Sequence, residues 1–167
     1  MSGKLRIGII GCGDFLRLRA ADLLSSRQVE VKLLYSPVNS ANAERYAEIF
    51  GAKAADSPEA IINDPEIDVV CVFVPPFVRK EYVLAAAKAG KQIVATKPLA
   101  ADLSDAREMT EAVEQAGVRC GVIYRRTNNP VIEAYKEIFS GGEFGKLALY
   151  KQDWLHHYPT WNRWATD

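Results

Sequence analysis

Apolar positions along the chain alternate between two rhythms. Leu5, Ile7, Ile9 and Ile10 form a short run, residues 29–35 a second and residues 69–74 a third. Runs of this length, bounded by glycine, serine or proline, predict β-strands. The third run is apolar at every position, the pattern of a parallel strand covered by helices on both faces. Between the runs the spacing widens to that of a helix. Leu16, Ala20, Leu23 and Leu24 share one face. Ala43, Tyr46, Ala47 and Phe50 share another, with Ser40 as the predicted cap and Gly51 as the stop. Ser57-Pro58 opens a brief helix through Ile61 and Ile62, after a short strand over 53–55. Val78, Tyr82, Ala85, Ala86 and Ala89 predict a further helix closed by Gly90, then a strand over 93–95. Asp102 caps a helix carrying Leu103, Ala106, Thr110 and Val113, and residues 118–124 form the sixth strand.

Strand and helix alternating over residues 4–124 predict an α/β fold, a doubly wound parallel sheet with right-handed crossovers. Ligands of such sheets bind beyond the carboxyl ends of the strands, where the strand order reverses. The segments at those ends are Gly11 to Leu16, Ser36, Val74-Pro75-Pro76, Thr96-Lys97-Pro98 and Tyr124 to Arg126, so linear spacing already gathers them on one rim. The alternation stops after residue 124. A helix over 129–139 with Pro130 in its first turn, a glycine cluster at 141–145 and one strand over 146–154 follow. A lone strand makes no stable sheet. The expected division is therefore a Rossmann-type domain over 1–124, then a linker helix and first strand, 125–167, opening a second α/β domain.

The first strand runs straight into Gly11-Cys12-Gly13, and a helix follows. In that context a GxG is a candidate dinucleotide-binding turn. Gly11 permits the tight turn, and Gly13 leaves space for a pyrophosphate. Free N–H groups near Asp14 and Phe15 then face the phosphates. Leu16 stands where the fingerprint expects glycine or alanine, and should push the helix outward or shift its register. The competing reading is a plain strand-to-helix turn. Cys12 lies at a helix start, where a thiolate is favoured, though the turn alone also accounts for it.

Charge removes several functions. Lys plus Arg and Asp plus Glu number 21 each, so no net field favours nucleic acid or an anionic membrane. No apolar run approaches the roughly 20 residues of a membrane span, and MSGKLRIG has no signal-peptide layout. Three cysteines, an odd number without a CxxC, read as reduced thiols of a cytoplasmic protein. His156 and His157 are adjacent, so on a strand they point to opposite faces, and no metal site is expected. Trp154, Trp161 and Trp164 suit packing against a further domain or partner.

Taken in order, GIIGCG, the VPPF at 74–77 followed by Glu81, the AGKQIVATKPLA at 89–100, the YRRTNNP at 124–130 and the GEFGK at 142–146 resemble the Gfo/Idh/MocA family of NAD(P)-dependent oxidoreductases. The lysine-proline pair after an AGK helix stop is the most specific of these. The resemblance implies NAD or NADP as cofactor and a small sugar or polyol as substrate. It also implies a C-terminal domain that carries the substrate site and the contacts of a homo-oligomer. It places Lys97 near the nicotinamide and the substrate hydroxyl as the catalytic candidate, with a solvated surface lysine as the alternative. Arg126 matches a family arginine near the substrate side of the cofactor. Members continue past a segment like 161–167 into a glycine-rich run and a DxGxH-type motif. This sequence stops before it, as a fragment or a naturally short product.

Five positions depart from the family pattern: Leu16, Ser36 or Pro37 in place of a ribose-reading aspartate, Val74 for threonine, Arg79 for histidine and Thr96 for glutamate. Loss of the aspartate leaves NAD and NADP open. The departures also motivate a second function, a Rossmann binding or regulatory protein without turnover.

Overall fold

The computed structural model describes residues 3–124, 129–151 and 153. Six strands, β1 (Leu5–Ile10), β2 (Val29–Tyr35), β3 (Lys53–Ala54), β4 (Val69–Val72), β5 (Gln92–Thr96) and β6 (Cys120–Ile123), form one sheet in the order β3-β2-β1-β4-β5-β6. All the pairings are parallel. The helices are α1 (Asp14–Ser25), α2 (Ser40–Phe50), α3 (Pro58–Ile62), α4 (Arg79–Lys88), α5 (Leu103–Gln115) and α6 (Pro130–Ser140). The doubly wound Rossmann sheet expected from the alternation is the one observed, with its switch point between β1 and β4.

The two-residue period of the strands sorts the core into two layers. Ile7, Ile9, Cys71 and Phe73 face Leu16, Ala43 and Tyr46 on one side. Ile10, Val70, Val72 and Ile93 face Ile61, Val83, Ala86 and Met109 on the other. β4 is buried at all four positions, as its unbroken apolar pattern requires.

Several boundaries differ from the sequence expectation. Asn39, not Ser40, caps α2, its side chain accepting from the Ala41 N–H at 3.1 Å. β4 ends at Val72 because Phe73 and Val74 leave the ladder after one last bond, from Phe73 N–H to the Ile10 carbonyl. β6 is only four residues long and lies at the edge of the sheet, paired with β5 alone among the described strands. The strand expected over 146–154 is absent among the described residues, since no described strand offers it a ladder.

The chain divides into two compact units, 1–123 and 124–167. In the second, α6 starts at Pro130 under an Asn129 cap and leaves Val131, Tyr135, Ile138 and Phe139 exposed.

At the amino end of the sheet, Arg6 donates from Nε and Nη2 to both oxygens of Asp68, and its backbone N–H joins them. These bonds hold the Asp68 carboxyl down at about 2. An unfolded aspartate titrates near 3.9, so this stability is present above that pH and is lost as pH falls through about 2. Both side chains are about a third exposed, so screening by solvent keeps the contribution small. Asp68→Asn should lower the melting temperature at pH 6 by a few degrees, and the gap to wild type should close as melts are repeated down to pH 2.

Candidate functional site

β1 delivers the chain to its carboxyl end at Ile10, and Gly11 turns it with φ +108°, in the left-handed region. Its N–H donates to the Tyr35 carbonyl at 2.8 Å, tying the turn to the end of β2. A Cβ there would lie 2.7 Å from the Phe73 carbonyl group, so the backbone just after β4 fills that side. Cys12 points inward at 2% exposure, and its thiol donates to Tyr35 O at 3.5 Å. Burial pushes it up to about 12, so it is a neutral thiol at physiological pH and the helix-start thiolate does not form.

Gly13 opens α1 with extended backbone and no side-chain cap. The first-turn N–H groups of Asp14, Phe15 and Leu16 therefore lack partners within the helix. A Cβ on Gly13 would meet nothing within 4 Å, so the space in front of those donors is open. Phe15 packs edge-on against Phe73, ring centres 4.8 Å apart, and joins α1 to the end of β4. Leu16 is fully buried and packs in the layer with Ile9, Cys12 and Phe73. Its isobutyl group fills the space between helix and sheet and leaves the glycine corner clear.

Ser36 follows β2 and is half-buried. No acidic residue stands between Tyr35 and Glu44. Arg45 lies over the ring of Tyr46, 6.0 Å from its centre, along the surface of its own helix.

On the other side of the switch point, Val74, Pro75 and Pro76 lead into a single 3-10 turn, Pro76–Val78, and then α4. The first residue of α4, Arg79, is only 1% exposed. Its Nη2 donates to Val74 O at 2.6 Å and to Thr96 Oγ1 at 2.5 Å. Its Nη1 donates to Thr96 O at 2.5 Å, to Leu99 O at 3.0 Å and to Pro98 O. One guanidinium thus binds the ends of β4 and β5 and the loop after β5, where the Lys97–Pro98 peptide is cis. Nε is buried without a partner, and burial pulls Arg79 down to about 10. Lys97 and Pro98 are exposed, and the Lys97 ammonium makes no hydrogen bond or ion pair among the described residues.

The sequence treats Val74, Arg79 and Thr96 as three separate departures; the structure makes them one cluster. Nothing in the local pattern identified Arg79 as a hub, since its acceptors lie up to 20 residues away. Gly11 to Leu16, Ser36, Val74 to Pro76 and Thr96 to Pro98 all sit at the carboxyl ends of neighbouring strands β2, β1, β4 and β5. Arg125, Arg126, Trp154, His156, His157, Trp161 and Trp164 lie outside the described residues. Among the described residues no three His, Cys, Asp or Glu groups gather as a metal site, and no helix is long and apolar enough to cross a membrane.

The rim fits a dinucleotide. The uncapped helix start and the clear volume at Gly13 suit a pyrophosphate, and the remaining segments extend to either side of it.

Residues 5–124 match the family model described as "Oxidoreductase family, NAD-binding Rossmann fold" (Gfo/Idh/MocA). An uncharacterized oxidoreductase of Streptococcus pneumoniae is 32% identical over 93% of this chain and 42% of its own length. The scyllo-inositol 2-dehydrogenase (NAD(+)) of Bacillus subtilis is 29% identical over 90% of this chain and 44% of its own. Among solved structures, a 3-ketoreductase from Actinomadura kijaniata in complex with NADP superposes with a TM-score of 0.76 at 26% identity, over 85% of this chain and 45% of that one. The chain thus spans less than half the length of these relatives.

Proposed function

Since the chain belongs to the Gfo/Idh/MocA oxidoreductase family, with the NAD-binding Rossmann fold, we propose that it is the cofactor-binding part of an NAD(P)-dependent oxidoreductase acting on a hydroxyl-bearing carbon of a sugar or polyol. The observation that carries this is the start of α1: uncapped donors behind a glycine whose side-chain direction is empty. Backbone N–H groups from Gly13 to Leu16 would receive the pyrophosphate, with Gly11 and Cys12 shaping the turn. Ser36 would face the adenosine ribose. Val74 to Pro76 and Thr96 to Pro98 would line the nicotinamide half, and Lys97 would orient and stabilise the substrate oxygen. The bound nicotinamide supplies the hydride chemistry. A general base, the substrate pocket and subunit contacts are assigned to a second domain of the kind the longer relatives have room for.

Fluorescence titration of the 167-residue chain with NADH and NADPH tests this. Saturation in the micromolar range supports it; no saturation at millimolar concentrations of either overturns it. A second reading, a Rossmann binding protein without turnover, draws on Thr96, which offers no carboxylate beside Lys97. Saturable binding by a full-length product that shows no dehydrogenase or reductase activity would favour it.

With neither an acid nor an arginine in residues 36–43, which follow β2, NADH and NADPH should bind within a few-fold of each other. Ser36→Asp should accept the ribose hydroxyls and repel the 2′-phosphate. NADPH affinity should fall about tenfold while NADH is held or improved, as the same titration reads.

A further inference from the structure

Arg79 is a buried cation without an anion. It is 1% exposed, and its acceptors are four backbone carbonyls and one hydroxyl, all neutral. Among the described residues no carboxylate bonds to it, and the Cys120 thiol near it is held neutral by burial. Buried cations normally keep a carboxylate close. Lys97, in the loop that Arg79 braces, adds a second unpaired positive charge at the same strand end. Arg79 and Lys97 thus set two positive charges at the β4–β5 end of the rim, in a chain whose charges balance as a whole.

The topology says which part of a dinucleotide would lie there. The pyrophosphate belongs at the start of α1 and the adenosine ribose at the end of β2, so the other mononucleotide falls across the ends of β4 and β5. That half is the nicotinamide. Its ring carries a positive charge when oxidised and none when reduced, while the phosphates are the same in both forms. Fixed cations beneath it thus act on the difference between the two forms.

Resting on the cofactor reading above, we propose that the carboxylate-free pair of Arg79 and Lys97 makes this rim select the reduced, uncharged nicotinamide over the oxidised, cationic one. Arg79 is then a specificity-determining residue that works through charge and through its hold on the Lys97 loop. A unit charge close to the ring, at the effective dielectric of a protein surface, shifts such a preference on the order of tenfold. The site is stocked with hydride donor.

The test compares NADH with NAD+, and NADPH with NADP+, by calorimetric titration of the full chain. Wild type should bind the reduced form at least about tenfold more tightly. Thr96 is 8% exposed with its hydroxyl 2.5 Å from Nη2, so Thr96→Glu places a carboxylate beside the guanidinium, where it stays ionised. Thr96→Gln has nearly the same size and no charge. Thr96→Glu should bring the ratio of the two affinities most of the way to one, and Thr96→Gln should leave it near the wild-type value, both folded by circular dichroism. Equal affinities in wild type, or Glu and Gln moving the ratio together, overturn the proposal and leave cofactor binding intact. Equal affinities in wild type overturn the proposal even if both variants misfold, since that comparison needs no variant to fold. Failure of every form to saturate removes the cofactor reading and this inference with it.

Discussion

Gly11→Ala should cost the chain about 3 kcal/mol of folding stability, the sum of two penalties at one atom. The first is conformational: φ +108° is a backbone state that side-chain-bearing residues rarely adopt. The second is steric. The new methyl would sit 2.7 Å from the carbonyl carbon and oxygen of Phe73 and 3.0 Å from the Val74 nitrogen. These are backbone atoms next to β4, and they cannot swing aside as the end of a long side chain could. Relief would require β1 and β4 to separate, or the turn to release the bonds from Gly11 N–H and the Cys12 thiol to Tyr35 O. The expected result is a fall in melting temperature on the order of 10 °C, read by circular dichroism. A fall of under about 2 °C would show that the corner yields more easily than its packing implies.

Gly13→Val, two residues on, should do the reverse. Its backbone, φ −93° and ψ −157°, is extended and open to any residue. No atom lies within 4 Å of the added Cβ, so the fold should lose no more than about 1 kcal/mol, mainly from a poorer helix start. The space it fills is the space in front of the first-turn N–H groups. Affinity for NADH and NADPH should therefore fall on the order of 100-fold, with the melting curve of the unliganded protein close to wild type. Intact binding in Gly13→Val would place the dinucleotide elsewhere on the rim and remove the main support for the proposed function. The pair separates two duties that a GxG motif merges: one glycine belongs to the protein's packing, the other to the ligand.

Leu16 looks, in the sequence, like an obstacle in the third position of the fingerprint. Its side chain lies in the core between α1 and the sheet, where it meets Ile9, Cys12 and Phe73. The departures at 74, 79 and 96 also change character once the fold is known. Arg79 bonds the backbone carbonyl of Val74 and the side chain of Thr96, so substitutions at 79 and 96 act on each other directly. Additivity should fail for variants at these two positions.

The strand and helix pattern and the parallel character of the sheet follow from rhythm and alternation along the chain, because a two-residue or 3.6-residue period is a property of neighbours; the order of the six strands came only with the structure. The same holds for the Gly11-Cys12-Gly13 turn and for the gathering of strand ends on one rim. What the linear pattern left undecided involves atoms far apart in the chain. Ile61 fills the place a side chain on Gly8 would need, 53 positions earlier, and Tyr35 O receives the donors of Gly11 and Cys12 from 23 or more positions away. Arg79 finds its acceptors 5 to 20 residues off. Such contacts exist only after the sheet has assembled, since the energy of a buried hydrogen bond or a steric clash depends on three-dimensional distance and not on spacing. Periodicity therefore determined which segments are strands and where their ends fall; tertiary packing decided which strands pair, that Cys12 is an inert thiol, that Leu16 is core, and that a buried arginine ties the ends of β4 and β5 together.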